Sequence, residues 1–303
     1  MTDRVVDAVL GAVARLRSGG VIVNNHTQSA AEVRLQVETI GRHFDFVSHD
    51  EMLVRLDRPA AKPFCVMTFD DGKRIAFEEA APVLERMGVP AAFYVVTDFV
   101  SGDRPLWFDV CPEAELSVLK RLPHAERMTR IERYAPSVAV DGSDARVAPM
   151  SWDQVRSLSR RGFTIGSHST RHAILTCEDP AEARDDIRRS LERVTSETGI
   201  PCPSFAFPNG NWTPALAAHA VACGARSCMT TVPAWASPAF APSALPRVQM
   251  HGYYDARRIG LKVLAASVPG LLANPDGTGR AYARSPRATP ETTGQAVSGV
   301  RRT

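Results

Sequence analysis

Short apolar runs alternate with helix-forming segments along most of this chain, and this alternation restricts the fold more than any other feature. Residues 64–69 read Phe-Cys-Val-Met-Thr-Phe, which predicts a buried strand, and the next segment carries apolar residues at helical spacing until Gly88 and Pro90. Further strands are predicted at 20–24, 92–97, 163–166, 204–207 and 226–230. Repeated strand-then-helix units predict an α/β fold with a parallel sheet, either a barrel or a doubly wound sheet.

The best-marked helix of the sequence begins after Asp179. Asp is a preferred N-cap, Pro180 suits the first helical position, and Glu182 follows three residues after the cap. Gly199 ends this helix. Other helices are predicted at 152–161, from 213 to about 224, and after Asp255.

Two segments do not fit the repeat. Residues 104–149 contain two predicted short helices broken at Pro123, followed by a loop-like Asp-Gly-Ser-Asp at 141–144, and we interpret this segment as an insertion. Residues 274–303 are rich in Gly, Pro, Ser, Thr and Arg, which is typical of disorder. We therefore expect one domain over residues 1–273 and a disordered basic tail.

Composition and charge argue against several classes of protein. The 36 basic and 33 acidic residues give a formal net charge of +3, and the tail alone has five arginines against two acids, so the remainder is about neutral. A nucleic-acid-binding face needs basic residues clustered on the fold itself. No apolar stretch approaches the roughly 20 residues of a membrane span. The run at 5–14 lacks the marks of a signal peptide, so we expect a cytoplasmic protein. The six cysteines form no C-x-x-C pair, and we expect their thiols to be reduced.

Two adjacent carboxylates, Asp70 and Asp71, follow the predicted strand at 64–69. Parallel α/β folds carry their reactive groups at the carboxyl ends of strands, so this position suits catalysis. One carboxylate can bind a metal while the other stays free as a base. The same residues also suit an ordinary Asp-Asp-Gly turn, where Asp and Gly are common for local reasons.

Two histidines, His168 and His172, follow another predicted strand and are four residues apart. At this spacing they can face the same side and bind one metal through their imidazole nitrogens, although such a pair also occurs by accident on surfaces. Together with Asp71 they make a set of three ligands that leaves an open position for water. That arrangement is typical of catalytic rather than structural metal sites.

These motifs resemble those of a known family. Thr-Phe-Asp-Asp-Gly at 68–72 followed by His-Ser-x-x-His at 168–172 is similar to the signature of the polysaccharide deacetylases, the NodB-homology group. The resemblance covers roughly residues 20–265. Ser-Phe-Ala-Phe-Pro-Asn-Gly at 204–210 looks like the third motif of the family, and the stretch 230–248 resembles its bacterial exopolysaccharide-type branch.

The resemblance implies a distorted (β/α) barrel of about seven strands and a metal-dependent N-deacetylase. Asp71, His168 and His172 would hold one divalent metal, and Asp70 would be the base that removes a proton from water. Zn²⁺ suits this ligand set best, and Co²⁺, Ni²⁺ or Mn²⁺ also fit. The substrate is expected to be an acetylated carbohydrate, an N-acetylhexosamine-containing poly- or oligosaccharide, and the oligomeric state stays undetermined.

Three departures from the family pattern concern the rest of the catalytic machinery. Ala206 stands where the family usually has an arginine that orients the base, and we predict that Arg247 supplies that charge from another strand. His251, in an apolar-x-apolar-His sequence, is the candidate general acid, with an ordinary loop histidine as the alternative and His26 as a second candidate. The Asp-rich fourth motif is not found; Trp235 lies nearby without the acids.

Substrate contacts are predicted in two places. The third motif offers Pro208, Asn209 and Gly210, and the insertion offers Trp107, because sugar rings favour flat aromatic walls. Asp109 and Trp212 are further candidates for the groove. Two other functions stay open: a deacetylase or amidohydrolase of another small amide or ester, and a glycan-binding homologue that has lost its chemistry.

Overall fold

The computed structural model describes residues 3–133, 143–268 and 270–272. The basic tail predicted at 274–303 lies outside the described residues, and so do the first two residues of the loop predicted at 141–144.

In the part of the chain that the structure describes, seven parallel strands form a curled sheet in the order β7-β6-β5-β4-β3-β1-β8, and the short β2 pairs with β3. The predicted α/β fold with about seven strands is therefore confirmed. The strands are β1 (Gly20–Asn25), β2 (Asp45–Phe46), β3 (Phe64–Phe69), β4 (Ala91–Val95), β5 (Thr164–Ser167), β6 (Ser204–Ala206), β7 (Ser227–Met229) and β8 (Val248–Gln249).

The two ends of the curled sheet meet at the segment that leads into β8. The backbone N–H of Leu245 donates to Cys228 in β7 at 2.8 Å, and Thr230 donates back to Leu245 at 2.9 Å. A few residues later, β8 pairs with β1. The segment 245–249 thus contacts both outer strands, which brings residues from distant parts of the chain to one end of a barrel.

Alternate residues of the strands form two apolar layers. Ile22, Val66 and Ala92 belong to the cluster inside the curled sheet, whereas their neighbours Val23, Met67 and Phe93 pack in the larger cluster under the helices. A sheet that is buried on both faces explains why the strands read as nearly continuous apolar runs.

Helices cover the outer face of the sheet. Asp179 caps the longest helix as predicted, because its side chain accepts hydrogen bonds from the N–H groups of Ala181 and Glu182, and Gly199 ends the helix with a left-handed φ of 72°. The helices are α1 (Asp3–Leu16), α2 (Ala30–Ile40), α3 (His49–Asp57), α4 (Ala81–Arg86), α5 (Trp107–Val110), α6 (Leu116–Leu119), α7 (His124–Ile131), α8 (Trp152–Arg160), α9 (Pro180–Thr198), α10 (Pro214–Ala222) and α11 (Ala256–Ala266). Within the described ranges, none of the helices has the length and apolar content needed to cross a bilayer.

In its described residues, the segment interpreted as an insertion contains three short α-helices, α5 to α7, where two were predicted. Its small apolar core consists of Trp107, Leu119 and Ile131 and packs against Ile174, which lies in the loop after β5. Pro123 separates α6 from α7, as its position in the sequence indicates. The insertion therefore packs against the loop that carries the two histidines.

A chain of polar contacts runs through the barrel interior. The hydroxyl of Tyr94 contacts Ser204 at 2.9 Å, Ser204 contacts Ser227 at 2.8 Å, and Ser227 contacts Nε2 of the buried His49 at 2.8 Å. Each of these groups has a partner, which buried polar atoms need if they are not to destabilise the fold.

Candidate metal centre and catalytic cleft

The two predicted motifs meet at the carboxyl ends of two parallel strands of the sheet. Asp70 and Asp71 follow β3, His168 follows β5, and β4 lies between these strands. One ligand atom from each of Asp71, His168 and His172 lies within 4.8 Å of the other two. Both histidine Nε2 atoms are 3.7 Å from Oδ1 of Asp71. The sequence named these residues as one ligand set, and the fold brings them together.

The backbone around these residues is locally strained. Asp71 has a φ of 75°, Ser169 of 70° and His172 of 51°, all in the left-handed region that residues other than glycine rarely adopt. Such conformations cost on the order of 1–3 kcal/mol each and persist where the surrounding structure enforces them, often at functional sites. Here they turn the carboxylate and the imidazole of His172 toward a common point.

The orientation of His168 is set by a backbone carbonyl. Its Nδ1 lies 2.7 Å from the carbonyl oxygen of Ala206. A carbonyl only accepts hydrogen bonds, so Nδ1 donates to it, and in the neutral form of the imidazole the lone pair of Nε2 faces Asp71. Ala206 thus lacks the side chain that the family pattern suggests, yet its main chain orients a candidate ligand in the way common for metal-binding histidines.

The donor set fits a divalent cation. Asp71 is 1% exposed, and neither of its carboxylate oxygens has a hydrogen-bond partner among the described residues. Leaving an ionised carboxylate buried and unpaired costs several kcal/mol, which a bound cation would offset. Burial, together with the neighbouring His168, holds the pKa of His172 well below its ordinary value, so this imidazole is neutral and its Nε2 can act as a ligand.

Asp70 is held by Arg247, which directly precedes β8. Arg247 donates from its two terminal nitrogens to the two carboxylate oxygens, at 2.7 Å each, and its Nε donates to the carbonyl of Thr230 at 2.9 Å. Both partners of the pair are almost completely buried. Burial alone would raise the pKa of Asp70, but Arg247 and His168 outweigh it and hold this pKa below its ordinary value. Asp70 is therefore ionised beside the candidate metal ligands.

The insertion supports the third ligand through two consecutive aromatic residues. The indole N–H of Trp107 donates to the backbone carbonyl of His172 at 3.1 Å, and the ring of Phe108 packs edge-on against the His172 imidazole at 4.8 Å between centroids. Trp107 is 3% exposed and the guanidinium of Arg127 covers its ring. The sequence predicts Trp107 as a wall for sugar rings, but its contacts make it chiefly a support for His172.

A buried ion pair, which the sequence reasoning missed, links the insertion to the segment after β3. Nζ of Lys73 lies 2.6 Å from Oδ1 of Asp109, which comes from the insertion. Burial raises the pKa of Asp109 although Lys73 opposes the shift. Lys73 directly follows Asp-Asp-Gly, so its position was visible in the sequence, but its partner 36 residues away was not.

These side chains line a cavity of about 500 Å³. Asn209, His26 and His251 also line it, whereas Pro208 and Gly210 are buried in the single turn of 3₁₀-helix that presents Asn209. Trp212 does not line this cavity and lies instead in a separate apolar groove beside α10. The residues that line the cavity but were not foreseen are Asn24, Thr27, Lys73, Phe108, Leu116, Lys120, Phe207, Thr231, Pro233, Gln249 and Lys262.

His251 lies at the side of the cavity, half-buried, with its ring stacked on Tyr253 at 5.2 Å. Burial is the main reason that its pKa is lowered, and the charges of Lys262 and His26 act in the same direction. His26 lines the same cavity. Both candidates for the general acid are thus on the wall, and which of them serves stays a prediction.

A family model described as polysaccharide deacetylase matches residues 57–228. Among solved structures, IcaB from Ammonifex degensii has a TM-score of 0.61 at 17% identity and covers 82% of this chain and 97% of its own. The Streptococcus pyogenes deacetylase PplD, solved in complex with acetate, has a TM-score of 0.61 at 16% identity over 81% and 98%. The deacetylase domain of BpsB from Bordetella bronchiseptica has a TM-score of 0.55 at 18% identity over 77% and 96%. No curated protein sequence matches.

Proposed function

Because this chain belongs to the polysaccharide deacetylase family, we propose that it is a metal-dependent hydrolase that removes N-acetyl groups from an N-acetylhexosamine-containing glycan. One observation carries the proposal: three buried ligand atoms from Asp71, His168 and His172 converge beside a separate buried carboxylate, Asp70. A divalent metal site beside a carboxylate that is not one of its ligands is one arrangement that can hydrolyse amides at neutral pH.

The residues divide the chemistry between them. A divalent ion held by Asp71, His168 and His172 would polarise the acetyl carbonyl and activate water. Asp70 accepts the proton of the attacking water, and the ion pair with Arg247 keeps that carboxylate ionised and in one orientation. The amide C–N bond then breaks as the nitrogen takes up a proton.

The proton for the leaving amine comes from a histidine of the cavity wall. His251 is the first candidate and His26 the second, since both line the cavity. The products are the free sugar amine and acetate. Asn209 is the member of the third motif that reaches the cavity, so among Pro208, Asn209 and Gly210 it is the side chain we expect to contact substrate.

Zn²⁺ is the proposed metal, because two imidazoles and one carboxylate with an open position suit it best. Metal analysis of the purified protein, followed by acetate release from N-acetylglucosamine oligomers, tests the proposal. Asp70→Asn should keep the metal and lose turnover, whereas Asp71→Asn should lose both.

The same assay separates the other two functions. Acetate released from small esters or amides but not from oligomers would favour a deacetylase of another substrate. Absence of bound metal, with no acetate from any acetylated compound, would favour a glycan-binding protein without catalysis.

A further inference from the structure

Lys262 lies on the cavity wall without a counterion. It is a half-buried residue of α11, and it lines the same cavity as Asp70 and Asp71. Among the described residues it has no hydrogen-bond or ion-pair partner. Burial lowers the pKa of Lys262, which indicates that its ammonium is partly withdrawn from water.

The other charges of the cavity are largely matched. Arg247 is paired with Asp70, Lys73 is paired with Asp109, and a divalent ion would more than neutralise Asp71. Lys262 therefore adds positive charge that the described carboxylates of the cavity do not offset.

Lys262 shares its cavity with the reacting groups. It lines the same cavity as Asp70, His168 and His251, and its charge contributes to the lowered pKa of His251. A substrate whose acetyl group lies at the candidate metal ligands therefore has Lys262 on a wall of the cavity that it occupies.

We propose that Lys262 selects acetylated substrates that carry a negative group, a phosphate ester or a carboxylate, on or next to the N-acetylhexosamine. This inference rests on the proposed deacetylase function and narrows its substrate class. A partly desolvated ammonium in a cavity that already contains cations binds an anion more strongly than an exposed lysine does. The same charge gives no advantage to a neutral sugar.

The test compares neutral and anionic substrates. Acetate release is measured for N-acetylglucosamine oligomers, for N-acetylglucosamine 1-phosphate, and for oligosaccharides that alternate N-acetylglucosamine with glucuronate. We expect kcat/KM to be at least about tenfold higher for an anionic substrate than for a neutral one of the same length, since hydrogen bonds to charged groups are worth about 1.5–3 kcal/mol. The phosphate and carboxylate arms identify which anion the site accepts.

Lys262→Gln should abolish this preference, so that kcat/KM falls at least about tenfold more for the anionic substrates than for the neutral oligomers, whereas Lys262→Arg should retain it. Arg257→Gln removes a charge from the exposed side of the same helix and should change neither. Equal rates for neutral and anionic substrates in the wild type, or equal losses for both in Lys262→Gln, would overturn the proposal.

A binding measurement separates this proposal from the proposed function. The calorimetric Kd of glucosamine 1-phosphate should rise about tenfold in Lys262→Gln and in high salt, with no such change for glucosamine. If that difference appears while no substrate releases acetate, the anion site stands and deacetylation fails. If acetate is released but the phosphate gives no advantage in binding, deacetylation stands and the anion site fails.

Discussion

Arg247 donates one hydrogen bond to each carboxylate oxygen of Asp70, although 177 residues separate them in sequence. The pair is possible because the segment before β8 closes the barrel between β7 and β1 and so reaches the end of β3. Both side chains are buried, so removing either charge would leave the other unpaired and would destabilise the fold. Arg247, directly before the last strand, thus supplies the positive charge at Asp70 that was predicted in place of an arginine at position 206.

Replacing Arg247 with lysine should lower kcat about 10- to 100-fold without loss of metal. A lysine ammonium keeps the charge but cannot donate to both oxygens of Asp70 in a fixed plane, so the base is less well oriented. Steady-state kinetics and metal content of the same preparation measure the two quantities. Arg226→Lys, which alters the exposed pair with Asp50, is the matched control and should change neither. A wild-type kcat at full metal content would dispose of the orienting role.

Replacing Trp107 with phenylalanine should weaken metal binding roughly tenfold, because the carbonyl of His172 loses the donor that holds it in place. Trp235→Phe is the matched control. The indole N–H of Trp235 donates to the carbonyl of Val263 in α11 at 2.7 Å, and neither residue belongs to the candidate ligand set. Both substitutions remove a buried hydrogen bond and should lower the free energy of unfolding by about 1 kcal/mol. Competition with a chromophoric chelator measures the Kd for Zn²⁺; an equal change in both variants would mean that Trp107 stabilises only the fold.

The buried His49 should make the protein less stable as the pH falls below about 6.5. Burial lowers the pKa of His49 in the folded state, opposed by Asp50 and assisted by Arg226. Between the folded pKa and the unfolded value, the unfolded chain binds the extra proton, so the free energy of unfolding falls as the pH falls, by at most about 1.4 kcal/mol per pH unit. Above the unfolded pKa this contribution is constant.

His49→Gln removes the titrating group and keeps a side chain that can bond to Ser227. Urea unfolding of both proteins between pH 5 and pH 8 gives the difference in stability. The advantage of the wild type should shrink below pH 6.5 and stay level above it. A difference that does not vary with pH would show that His49 is not held neutral by the fold.

Local motifs allowed much of the fold and the metal centre to be predicted. Short segments of the sequence suffice to predict the strands, the caps of α9 and the order of elements. The rule that reactive groups follow parallel strands predicted that Asp70 and His168 lie at one edge of the sheet. The N-terminal helices were missed although signals existed. Val6, Leu10 and Ala14 form one buried stripe on α1, and Glu32 accepts from the N–H of Ser29 at the start of α2.

The remaining parts of the cavity depend on contacts between distant segments. The pairing of Lys73 with Asp109 and the packing of Trp107 behind His172 arise because the insertion folds over the loop after β5. Lys262 is one polar residue among several on an amphipathic helix, and no local pattern distinguishes it. Sequence periodicity shows which side of a helix is buried, but it does not show which cavity the edge of that helix borders.

Gly210 should be far less replaceable than another glycine with the same backbone conformation. Its φ is 77°, and a Cβ added there would lie 1.9 Å from Oγ1 of Thr231. Gly199 has a φ of 72°, but a Cβ there meets no atom within 4 Å. Alanine at either position adopts the left-handed conformation at a cost of about 1–2 kcal/mol, so any difference between the variants comes from the clash.

Gly199→Ala should therefore lose about 1 kcal/mol of unfolding free energy and keep full activity. Gly210→Ala should lose more and should also depress kcat/KM, because relief of the clash displaces Thr231 and Asn209, both of which line the cavity. Thr231→Ala in the Gly210→Ala background removes two of the clashing atoms, so it should recover part of the activity relative to Thr231→Ala alone. Equal stability and activity in the two glycine variants would mean that the turn at 208–210 shifts freely and does not fix the position of Asn209.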